Sequence, residues 1–170
     1  MSVTRINPPY VADERSMLES WLELQRGTLL WKCEGLDPES LKRRAVPPST
    51  LSLLGLVRHM SEVERNWFRR SLAGEDVPPI YCSDTNEDGD FDDVDTADVD
   101  EAFSTWRAEC EHARRLAGAA ATLDQLSAKP RRDGSTVSLR WIMVHMIEEY
   151  ARHNGHADFL RQCIDGAVGY

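Results

Sequence analysis

Apolar residues recur every third or fourth position in four separate stretches of this chain, and no stretch alternates apolar with polar for more than a few residues. A polypeptide with that pattern buries its apolar faces by laying helix against helix. The first stretch runs from Asp13 to Glu34, with Asp13 as cap and Gly35 as stop, and presents Met17, Trp21, Leu24 and Thr28 to Trp31. The second runs from Leu51 to Ala73, capped by Ser49 or Thr50 and stopped by Gly74, with Leu53, Leu56, Met60, Val63 and Trp67 on its apolar face. The third, Asp98 to Ala121, carries Phe103, Trp106, Cys110, Ala113 and Ala117; the fourth runs from Ser138 to Ile164 and ends at Gly166. Prolines 38, 47, 48, 78, 79 and 130 fall between the stretches, where they exclude long regular elements. The expectation is an all-α, four-helix bundle forming a single domain over residues 1–170.

Charge is concentrated in one connector. The chain has net charge −9, yet Asp84 to Glu101 holds ten acids and no Lys or Arg, so the remainder is close to neutral. An overall acidic balance argues against a nucleic-acid partner, which calls for a basic surface. No apolar run approaches the roughly 20 residues that span a bilayer, and Met1 to Tyr10 lacks the apolar core of a signal peptide, so the expected compartment is the cytoplasm. Cys33, Cys82, Cys110 and Cys163 contain no close pair and read as free thiols. The acidic connector reads as a solvated segment leading into the third helix. Asp84, Asn86, Asp88, Gly89 and Asp95 match the spacing of a calcium loop, but the entering helix of such a loop is missing.

The fourth helix carries the chemical signal. With Glu149 at zero on a helical wheel of ~100° per residue, His145, His153 and His156 fall within about 40° of it. Ile142 lies below this stripe, and Leu160 and Cys163 lie above it, so the stripe should face the core. A carboxylate and imidazoles buried there without partners would cost several kcal/mol. Either mutual hydrogen bonds or a divalent cation offsets that cost. On the second helix His59 stands at the edge of the apolar arc beside Leu56, Met60 and Val63. Were the two helices neighbours, His59, Glu149 and His153 would give three ligands and leave a position open, the arrangement of catalytic zinc sites. His145 and His156 are then groups that orient a ligand or touch substrate. His112 reads as a surface residue, as do Arg58, Arg65, Arg152 and Arg161, and Cys163 is a weaker ligand candidate on the site's own face.

The segments LGLVRHMSEVERNWF (Leu54 to Phe68) and EEYARHNGHADFLR (Glu148 to Arg161) resemble the DinB-like family of metal-binding four-helix proteins, and most of all the actinobacterial branch that includes mycothiol-dependent maleylpyruvate isomerase. The resemblance implies a DinB-like bundle with a long acidic loop between helices 2 and 3, and often a homodimer. It implies zinc held by His59, Glu149 and His153. It also implies a low-molecular-weight thiol such as mycothiol as cosubstrate, activated to attack an electrophilic small molecule by S-transfer or isomerisation. The same ion could instead activate water. The contrasting expectation is a non-catalytic bundle, stress-related or binding a small molecule, whose histidines only hydrogen-bond.

Overall fold

The computed structural model describes residues 5–131 and 133–169, and every regular element among them is helical. Helix α1 (Glu14–Cys33) starts at Asp13, whose side chain accepts from the Ser16 backbone N–H. A one-turn-plus helix α2 (Pro38–Lys42) follows in the first connector; Asp37 caps it and Pro38 enters where a missing N–H does no harm. Helix α3 (Leu53–Glu64) is capped by Ser52, three residues later than Ser49. It continues without a break into π-helical turns over Arg65–Leu72. Within the acidic connector lie α4 (Gly89–Asp92) and a 3₁₀ turn (Asp93–Thr96). Helix α5 (Val99–Ala119) is capped by Asp98, and α6 (Leu139–Asp165) runs from Ser138 to a left-handed Gly166, φ 79°. The all-α bundle is therefore present, with two short helices added in connectors.

Helix α1 packs along α6, α3 and its π extension pack along α5, and α3 also meets α6. Leu22, Leu29, Leu56, Met60, Phe68, Trp106, Ile142 and Met146 fill the interior. The buried ridge of α1 is rotated from the expected one. Leu22, Arg26, Leu29 and Cys33 face inward, while Trp21 is 42% exposed. A count of apolar residues alone missed this because one of the inward positions is an arginine.

That arginine is the centre of a buried polar group drawn from all four long helices. Arg26 on α1 pairs with the fully buried Glu64 on α3 through two bonds of 2.7 and 2.6 Å. Tyr150 on α6 donates its hydroxyl to Glu64 at 2.8 Å and accepts from the indole N–H of Trp106 on α5 at 2.9 Å. Burial by itself would lower the Arg26 pKa, but the Glu64 charge beside it overcomes that and holds the guanidinium well above its usual range. Burial, reinforced by Glu64, likewise pushes the Tyr150 phenol far up, so it remains a donor.

The acidic connector is less solvated than its charge suggests. Nine of the ten acids are exposed, but Asp90 is 3% exposed and Val94 is fully buried. Phe91 packs so closely on Gly55 that a Cβ there would lie 2.8 Å from its ring. Arg58, read above as a surface residue, is buried and donates to the carbonyls of Gly89 and Asp90 at 2.8 and 2.9 Å. Arg65 and Arg161 are also half-buried; Arg65 pairs with Glu109, and Arg161 donates to the carbonyls of Lys32 and Glu34 at the end of α1. The calcium reading has no geometry behind it. Asp95 turns to Arg44 at 2.8 Å, Asn86 donates to Asp93, and no group of three ligand atoms converges in this segment among the described residues.

Glu64→Ala leaves the buried Arg26 guanidinium with only the half-exposed Glu23 as a charged partner and is expected to destabilise the protein by about 3 kcal/mol in urea unfolding. Replacing both partners together, Arg26→Met with Glu64→Leu, should cost less than Glu64→Ala alone, because no unpaired charge is left.

Candidate metal centre

His59 projects from the middle of α3, and Glu149 and His153 stand one turn apart on α6. One ligand atom from each of these three residues lies within 4.8 Å of the other two, and all three side chains are half-buried. The rings of His59 and His153 are 4.7 Å apart at 58°. Glu149 divides its two oxygens: Oε2 is 3.4 Å from Nε2 of His153 and Oε1 is 3.5 Å from Nε2 of His145. Two separate helices therefore bring two imidazoles and one carboxylate to one point at the α3–α6 seam.

The surroundings set the character of these donors. Burial, with the neighbouring His59 and His156 adding to it, pushes the His153 pKa down to about 4. At neutral pH its imidazole is uncharged and offers a lone pair. Nδ1 of His156 lies 3.4 Å from Nδ1 of His153, which leaves the Nε2 of His153 for Glu149. Nδ1 of His59 is 2.8 Å from Oδ2 of Asp90. Asp90 was not singled out in the sequence, where it is one acid among ten. The available signal was its neighbour Phe91, an apolar residue inside a charge run.

His145 sits outside the three-residue group. It stacks on Trp141 at 4.9 Å and meets Trp67 edge-on at 4.8 Å, and with Glu148 and Glu149 it makes a second, more exposed set of ligand-type atoms. The π turns explain why Trp67 reaches it. A π turn advances each residue by less than the ~100° of an α-helix, so Trp67 swings round toward the His59 side. A continuous α-helix over Leu51 to Ala73, as the sequence suggested, would have turned it further away.

The remaining candidates lie elsewhere. His112 sits on α5 against Arg115, and Arg152 is exposed. Cys163 is exposed and belongs to neither ligand group, because the buried face of α6, through Met146, Tyr150 and Ala157, is turned away from it. All four cysteines are free thiols. Burial pushes Cys33 up to about 12, Cys82 up to about 11, and Cys110 higher still.

A protein-family model described as "MST: Mycothiol-S-transferase" matches residues 17–166, a span that contains His59, Glu149, His153 and all four long helices apart from the first residues of α1. The chain belongs to the mycothiol-S-transferase family. This is a DinB-like family, in keeping with the helical bundle described above. A comparison with curated proteins finds no match. No helix among the described residues is long and apolar enough to cross a membrane.

None of the chain's thiols is both at the site and reactive, so thiol labelling should separate them. In the native protein at pH 8, DTNB is expected to modify Cys163 rapidly and Cys82 slowly, and to leave Cys33 and Cys110 unmodified until the chain unfolds. Cys163→Ser should abolish the fast phase alone. Fast labelling of a second thiol would contradict the burial described.

Proposed function

We propose that this member of the mycothiol-S-transferase family is a metal-dependent enzyme that moves the sulfur of a low-molecular-weight thiol, mycothiol in the first instance, onto an electrophilic small molecule. His59, Glu149 and His153 would hold the ion, and zinc suits this nitrogen and oxygen set. The residues fit such an ion on their own chemistry. Two imidazoles supply neutral donors, one carboxylate supplies a single negative charge, and the three atoms already lie within 4.8 Å of one another. A bound zinc ion would supply the Lewis acidity that lets a thiol lose its proton near neutral pH.

The chain's own residues define the rest. Glu149 is the one carboxylate among the three proposed ligands and would offset one of the two charges of a bound zinc ion, with the Asp90 carboxylate standing behind His59. His145, clamped between Trp67 and Trp141, faces the second oxygen of Glu149 and orients it; His156 does the same for His153. The protein's cysteines take no part, because none belongs to the group. In the transfer the thiol gives its proton to solvent. A sulfur lone pair forms the new S–C bond, and the leaving group departs with the electron pair of the bond that breaks. The family description favours transfer over isomerisation. The proposal extends to a cytoplasmic location and a homodimer.

The convergence of His59 with the Glu149–His153 pair across two helices is the observation that carries this reading. Metal analysis of the purified protein should give about one zinc per chain. Glu149→Ala and His153→Ala should each lose most of it, together with at least a hundredfold of the kcat/KM for mycothiol conjugation. Stoichiometric metal in both variants would remove these ligands from consideration. A chelator should also lower the thermal midpoint, since an ion present at a thousandfold over its Kd stabilises the native state by about 4 kcal/mol. A bundle whose histidines only hydrogen-bond would ignore the chelator.

A further inference from the structure

We propose that Asp90, carried by the acidic connector, is the positioning residue for His59, and that docking of this connector is coupled to metal binding. The inference rests on the reading of His59 as a ligand. Asp90 is 3% exposed, and each of its oxygens has a partner: Oδ2 lies 2.8 Å from Nδ1 of His59, and Oδ1 accepts from the backbone N–H of Phe91 at 3.0 Å. An ionised carboxylate can only accept, so in the neutral tautomer of the His59 ring this contact puts the proton on Nδ1 and leaves Nε2 as the lone-pair atom. Phe91 stacks on the same ring at 5.1 Å and 29°. Two consecutive connector residues thus grip one imidazole, one at its nitrogen and one on its face. A carboxylate behind a ligating imidazole fixes its tautomer and raises its basicity.

The grip has its own anchor. Gly55, Arg58 and His59 form one stripe of α3 at i, i+3 and i+4. Gly55 leaves space for Phe91, and Arg58 donates to the backbone carbonyls of Gly89 and Asp90. Glu62 on the next turn accepts from the backbone N–H groups of Ile80, Tyr81 and Cys82. These contacts hold the connector by its backbone and do not use the Asp90 side chain. Asp90 can therefore be changed without undocking the segment. Coupling runs in both directions: an ion that favours the positioned His59 must also favour the docked connector.

The test uses the full chain with Asp90→Ala and Asp90→Asn, and with Asp95→Ala as a control that removes one exposed connector carboxylate and leaves the contacts of residues 89–92, including those from Arg44 to the Phe91 and Asp92 carbonyls, in place. Zinc affinity is measured by competition with a chromophoric chelator. Asp90→Ala should weaken it by about 10–100-fold, Asp90→Asn by less, and Asp95→Ala not at all. In the metal-free wild type, ¹⁵N shifts of the His59 ring should report a single tautomer protonated at Nδ1, and in Asp90→Ala a mixture. Hydrogen exchange over residues 83–96 should slow on adding zinc to the wild type, and this slowing should disappear in Asp90→Ala. Wild-type zinc affinity in Asp90→Ala, or an equal loss in Asp95→Ala, would overturn the proposal. If the wild type binds no zinc, the ligand reading fails instead, and the coupling fails with it. The ¹⁵N shifts then still decide whether Asp90 holds the His59 ring.

Discussion

The hydroxyl of Tyr150 and the carboxylate of Glu64 meet in the middle of the bundle, and that bond sets α6 against α3 in both height and rotation. Tyr150 is the residue after Glu149, and Glu64 lies five positions beyond His59. Once the phenol is held by Glu64 from one side and by Trp106 from the other, Glu149 and His153 have little choice but to face the α3 seam. Helix packing alone is permissive, since apolar ridges tolerate shifts of register and rotation. A buried charge does not tolerate them, because each displacement strands a group in the core. The Arg26–Glu64 pair need not contribute much net stability. Its effect is to make one arrangement of four helices much better than its neighbours.

The site then combines rigid and attached parts. Glu149 and His153 belong to the longest helix and are held by its packing. His59 sits on α3, but its ring is gripped by a connector that reaches the helix from residues 89–91. His145 is held by two indoles, one of which arrives only because the helix widens into π turns. His59 and His145 therefore owe their orientation in part to elements other than the helices that carry them. The group has the mixed neutral and anionic character that suits a divalent ion, with an uncharged His153 at neutral pH.

The acidic connector shows how a charge run can mislead. Ten acids over eighteen residues suggest solvation, and nine of them are indeed exposed. Yet Phe91 and Val94 give the segment an apolar side to bury, and Arg58 and Glu62 meet its backbone carbonyls and N–H groups. The one inward carboxylate, Asp90, is tolerated because His59 and a backbone N–H satisfy both of its oxygens. Arg58 was misread for the same reason: in sequence, a residue whose partners are backbone groups far along the chain looks like any surface arginine.

The helical repeats, the cap at Asp13, the starts of the third and fourth helices at Asp98 and Ser138 and the stop at Gly166 were legible from the chain alone, whereas the buried face of α6 runs through Met146, Tyr150 and Ala157 and leaves the His145–Glu149–His153 stripe half-buried at its edge. Local hydrogen bonding and a 3.6-residue period depend only on near neighbours. The pairing of His59 with Glu149 and His153 could be suspected, since both motifs placed polar groups beside apolar arcs. Their actual convergence, the rotation of α1 that turns Arg26 inward, the π turns that bring Trp67 round and the docking of Asp90 were decided by the tertiary structure. Those features rest on contacts between residues 31 to 94 positions apart. Over such separations sequence spacing carries no distance, and only the packed bundle determines which side chains meet.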